Sequence, residues 1–70
     1  MFKYPNLQAE QAKKRMSNRE VAAYLGLSRN SYEQKKRSGR FIPEEVKKLL
    51  TLFNCKFDYL FESEEIKKSS

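Results

Sequence analysis

The sequence predicts an all-α fold, a compact five-helix bundle, on three observations. Apolar residues recur at helical spacing, no segment alternates in the manner of a strand, and the 70 residues hold only two glycines. A chain of this length makes one small domain with a single core. Residues 1–61 are read as that domain and 62–70, "ESEEIKKSS", as a polar tail that frays.

The turn Tyr4-Pro5-Asn6 opens the first helix, with Asn6 as its cap and Arg15 near its end. Leu7, Ala9 and Ala12 are its core candidates, a sparse set. Ser17-Asn18-Arg19-Glu20 is a capping box, in which the serine hydroxyl serves the Glu20 amide and the Glu20 carboxylate reaches back to Ser17. A second helix therefore starts at Asn18, with Val21, Ala22 and Leu25 on its apolar face. Gly26 sits where a helix ends in a left-handed residue, a conformation only glycine adopts without steric cost. Leu27 follows as an anchor and Ser28 as a fresh cap, so a third helix runs from Arg29 to Lys36 or Arg37. Pro43, followed by Glu44 and Glu45, starts a fourth, whose core face is Val46, Leu49, Leu50 and Phe53. Asn54 is its left-handed stop. A short last helix turns Phe57, Leu60 and Phe61 inward. Met16 is assigned to the core, Cys55 leads into the last helix, and Tyr24 and Phe41 are assigned to partly exposed positions.

Two short helices around a glycine turn form the helix-turn-helix pattern, a pattern that an αα-hairpin without a ligand partly shares. The close crossing needs a small residue, Ala22, and the turn needs Gly26 four positions later. Val21, Leu25, Leu27 and Tyr32 supply the anchors, whereas Lys35 stands where another apolar side chain is expected.

Charge is unevenly placed. Residues 1–42 carry ten Lys/Arg against three acids, and residues 43–70 carry five against six, within a net charge of +6. Such asymmetry is the footprint of a polyanion-binding surface, with a basic surface that merely aids solubility as the plainer reading. There is no histidine and one cysteine, which excludes ordinary zinc sites and Ser-His or Cys-His catalysis. No phosphate-cradling glycine loop and no convergent carboxylate pair is present, so the chain is read as a binder without cofactor rather than an enzyme. The lone cysteine and the absence of a signal-peptide pattern or long apolar run point to the cytoplasm, with no membrane association.

"SNREVAAYLGLSRNSYEQ" resembles the core of the lambda-repressor/Cro-like (XRE family) DNA-binding domains, and "FIPEEVKKLLTLFNCKFDYLF" resembles their fourth helix and closing segment. The resemblance covers Asn6 to Phe61. Its departures are Lys35, the basic loop "KKRSGR", and Lys56 at a position usually held by a capping Ser or Thr. It implies a lambda-repressor-like fold with the third helix in the DNA major groove. Under that expectation Arg29, Asn30, Glu33 and Gln34 are the candidates for base readout, since Arg pairs with guanine and Asn or Gln with adenine. A phosphate contact for Arg29 and a salt bridge for Glu33 stand beside those roles. Asn18, Arg19, Ser28, Ser31, Lys35, Lys36, Arg37 and Arg40 are the phosphate candidates, although any one of the lysines can be just a solvated charge. The partner expected is double-stranded DNA, bound by a homodimer at a two-fold operator as a bacterial or phage transcriptional regulator or repressor. The alternative is a small phage-type modulator or antirepressor that docks onto a repressor protein.

Overall fold

The computed structural model of the chain describes residues 2–63, and among them all regular structure is helical. Five helices follow in order: α1 (Pro5–Lys13), α2 (Asn18–Leu25), α3 (Arg29–Ser38), α4 (Pro43–Phe53) and α5 (Phe57–Leu60). None of the described helices is long and apolar enough to cross a membrane. The tail expected over 62–70 lies outside the described residues from 64 onward, and Ser63 is buried.

The helix boundaries follow local chemistry. Ser17 Oγ accepts the Glu20 amide at 3.1 Å and a Glu20 carboxylate oxygen accepts the Ser17 amide at 2.8 Å, so the capping box at α2 is complete. Gly26 is left-handed (φ 76°), and the Leu27 amide reaches back to the Ala22 carbonyl at 2.8 Å, closing the helix end. Ser28 then caps α3 through the Ser31 amide. The same six-to-one closure ends α4, with Asn54 at φ 53° and the Cys55 amide on the Leu50 carbonyl. It ends α1 as well, where Arg15 takes φ 56° and the Met16 amide bonds the Gln11 carbonyl. Lys56 leads into α5 without a side-chain cap.

The core is Leu7, Val21, Ala22, Leu25, Tyr32, Leu49, Phe53, Leu60 and Phe61. Each large member contributes about 1.5–3 kcal/mol by leaving water. Met16, Leu27, Val46, Leu50 and Cys55 are half-buried against it. Tyr4, Phe41, Phe61 and Phe57 form a run of ring contacts, with the Tyr4 and Phe61 rings edge-to-face at 5.1 Å.

Several local expectations are corrected. Tyr4, not Asn6, precedes the first helical residue, because Pro5 already occupies the first position of α1. The Asn6 amide instead donates to the Tyr59 carbonyl at 2.8 Å and to Glu62, tying α1 to α5. Ala9 and Ala12 are exposed and Gln11 is buried, so α1 turns a polar residue inward. Phe57 is 54% exposed: one ring face stacks on Phe61 and the rest meets solvent. The third helix also runs on to Ser38, ended by left-handed Gly39.

Candidate nucleic-acid interface

Helix α3 has two unlike faces. Tyr32 and Lys36, four residues apart, are buried, and Lys35 is half-buried. Arg29, Asn30, Gln34 and Arg37 are exposed on the other side, with Glu33 half-exposed beside them. The turn at Gly26 places the start of α2 against this strip. Ser17, Asn18, Arg19, Arg29 and Glu33 line one open cleft of about 370 Å³. A neighbouring cleft of about 240 Å³ is lined by Phe2, Asn18, Glu33, Lys36 and Arg37.

Beneath the strip lies a buried polar network. The Tyr32 hydroxyl donates to Gln11 Oε1 at 2.8 Å. Lys36 Nζ donates to Gln11 Oε1 and to Asn18 Oδ1, each at 3.0 Å, and to Gln8 Oε1. Three N–H donors thus meet three side-chain carbonyls, which saturates the ammonium. Its charge also faces the Phe2 ring at 4.8 Å and the Tyr32 ring at 5.1 Å. Gln11 Nε2 donates to the Met16 carbonyl at 3.0 Å and to Asn18 Oδ1 at 2.9 Å, which fixes the turn before α2. Asn18 Nδ2 donates to Glu33 Oε2 at 3.0 Å, linking the network to the exposed strip. No buried side-chain nitrogen or oxygen among the described residues is left without a partner. Burial holds the Lys36 ammonium below the ordinary lysine value, opposed by the field of Glu33, and burial pushes the Tyr32 phenol up.

These contacts sort the candidates. Lys36 was expected to grip a phosphate, and that expectation is corrected: it is 3% exposed and all its donors are engaged inside. Lys35 is not free either, since its ammonium lies 3.2 Å from Glu45 Oε1 and 3.3 Å from the Arg40 carbonyl. Asn18 turns its carbonyl inward and directs one amide hydrogen to Glu33, leaving the second amide hydrogen for a ligand. Ser28 and Ser31 bond each other at 3.0 Å as the cap of α3. Glu33 bonds Asn18 and stands 3.9 Å from Arg29 Nε, the salt-bridge arrangement considered for it. That pair is open to solvent and contributes only about 0.3–0.5 kcal/mol, so Arg29 can exchange it for a ligand. Arg19, Arg37 and Arg40 are exposed, and Arg19 and Arg37 border the two clefts.

Sequence reasoning missed Gln8, Gln11 and Phe2. The signal for Gln11 was its spacing: it stands four residues after Leu7, on the one face α1 buries, as Lys36 stands four after Tyr32. No protein-family model matches this chain, and no curated protein or solved structure matches it.

Proposed function

We propose that the chain is a sequence-specific, double-stranded-DNA-binding transcriptional regulator of bacterial or phage type, acting in the cytoplasm on the nucleoid. One observation carries this reading: Arg29, Asn30, Gln34 and Arg37 share a solvent-facing strip of α3 whose opposite face is locked into the core by Tyr32 and Lys36. A helix so held can enter a major groove without losing its packing. The resemblance to lambda-repressor/Cro-like domains and the concentration of positive charge in residues 1–42 support it.

In this reading Arg29 and Asn30, at the amino end of α3, take guanine and adenine edges, and Gln34 reads one turn later. Arg19, Arg37 and Arg40 hold phosphates on either side, and the free amide hydrogen of Asn18 adds a contact at the start of α2. One such domain reads few base pairs, so two copies bind a two-fold site. Nothing in the reading calls for a catalytic group or a cofactor.

The test is a salt titration of binding to random duplex, followed by selection of bound sites from a random DNA pool. A steep fall in affinity with salt and a recovered two-fold motif are expected. A flat, weak response to salt would remove the reading. The second reading, a modulator docking onto a repressor protein, draws on the exposed apolar residues Ile42, Phe57 and Tyr59. It predicts binding to the repressor with no loss on removing Arg29 and Arg37.

A further inference from the structure

Four helices are followed by a left-handed residue among the described residues: Gly26, Gly39 and Asn54 cap α2, α3 and α4, and Arg15 stands one residue beyond the Lys14 cap of α1. Glycine takes that conformation freely, and asparagine takes it readily because its short side chain bonds locally. Arginine does neither, and its Cβ crowds the following carbonyl. Arg15 is therefore a strained position within an otherwise conventional set of helix ends. Such outliers persist where the surrounding structure over-determines them, and they cluster at functional sites.

The Arg15 side chain has no hydrogen bond or ion pair among the described residues, and its surface is exposed. It does not pack into the core, so packing does not account for the arginine. The turn that carries it is nonetheless fixed. The Arg15 amide bonds the Ala12 carbonyl at 3.0 Å, and Gln11 grips both the Met16 carbonyl and Asn18. Gln11 is in turn bonded to Tyr32 and Lys36 of α3. The turn that carries Arg15 is thus tied to Asn18, which lines the cleft together with Ser17, Arg19 and Arg29. Ser17 is two positions further on, about 7 Å of chain at most. Its neighbours Lys14 and Arg19 are exposed cations as well.

We infer that Arg15 is an additional phosphate-binding residue of the same interface, its guanidinium gripping the DNA backbone beside the start of α2. The inference rests on the DNA-binding reading. Glycine at this position, conformationally easier, would remove a cation carried on a turn that the fold ties to the start of α2. The contact is to backbone and carries no sequence preference of its own.

The experiment separates stability from binding in one variant. Arg15→Gly relieves the strain, so its thermal midpoint should rise by about 3–6 °C. The same variant should bind every duplex about eightfold more weakly at 0.1 M salt, with the slope of log affinity against log salt shallower by about 0.9 and an unchanged selected motif. Arg15→Lys, which keeps both charge and strain, should match the wild type in both measurements. Arg15→Asn should follow Arg15→Gly in binding. Wild-type affinity and salt slope for Arg15→Gly would overturn the inference and leave the DNA-binding reading standing. Failure of the wild type to bind duplex in a salt-dependent way would overturn both.

Discussion

The Lys36 ammonium donates to the Asn18 side-chain carbonyl at 3.0 Å, joining the last turn of α3 to the first residue of α2 from inside the molecule. No carboxylate of the described residues pairs with this cation; carbonyl oxygens and two aromatic faces surround it. A residue that reads as a DNA-facing charge in a basic run is thereby a structural tie among α1, α2 and α3.

Removing the tie should cost stability. Lys36→Ala deletes a buried stem and leaves Gln8, Gln11 and Asn18 short of a donor, a loss of about 2–4 kcal/mol. Lys36→Met, which fills most of the same volume, should lose about half of that. Urea unfolding of the three proteins measures the difference, and a Lys36→Ala midpoint equal to the wild type's would refute the role.

The same ammonium sets a pH dependence. Its folded-state pKa lies below the ordinary 10.5, so over the window between the two values the unfolded chain binds more protons than the native one. Stability contributed by this group therefore rises with pH as the folded value is passed. The Tyr32 phenol, raised by burial, opposes this only above pH 10, where the unfolded phenol ionises. Unfolding free energies followed upward towards pH 10.5 should rise more steeply in the wild type than in Lys36→Gln. Equal slopes for the two proteins would contradict the burial argument.

The two glycine stops should respond differently to alanine. Gly26 has φ 76° with nothing within 4 Å of an added Cβ, so Gly26→Ala costs only the left-handed strain, about 1 kcal/mol. An added Cβ at Gly39 would lie 2.8 Å from Lys3 Cγ and 2.9 Å from the Tyr4 hydroxyl oxygen, which itself donates to the Gly39 carbonyl. Gly39→Ala should therefore cost about 2–3 kcal/mol, strain plus displacement of residues 3 and 4. Thermal melts that rank the two alike would exclude that packing.

Arg29→Ala and Arg37→Ala divide the proposed interface. The first should relax base preference at one position, a change of about 1–3 kcal/mol in discrimination. The second should weaken all sequences alike and flatten the salt slope by about 0.9. Site selection with each variant reads both effects, and an unchanged motif for Arg29→Ala would assign that residue to the backbone.

Much of the fold was legible because helix ends are written in short offsets. Ser17 and Glu20, Gly26, Ser28, Pro43 and Asn54 act within one turn of themselves, and each occupies the role its local sequence implies. The exposed strip of α3 followed from the same logic once its start was placed. Asn6 misled because two adjacent residues could open α1 and only contact with α5 gave Asn6 another partner. Phe57 misled because helical spacing does not say how much of a four-residue helix the neighbouring elements can cover.

The sequence by itself determined the number of helices, where they break, and the imbalance of charge between the two parts of the chain. Which polar residues go inside was settled only in three dimensions. Gln11 and Lys36 occupy core-facing positions that spacing marks but composition disguises, and each is tolerable there only because the other, with Tyr32, Asn18 and Gln8, lies within hydrogen-bonding distance. A buried polar group is stabilised by partners distant in sequence, and those partners exist only after the helices have packed.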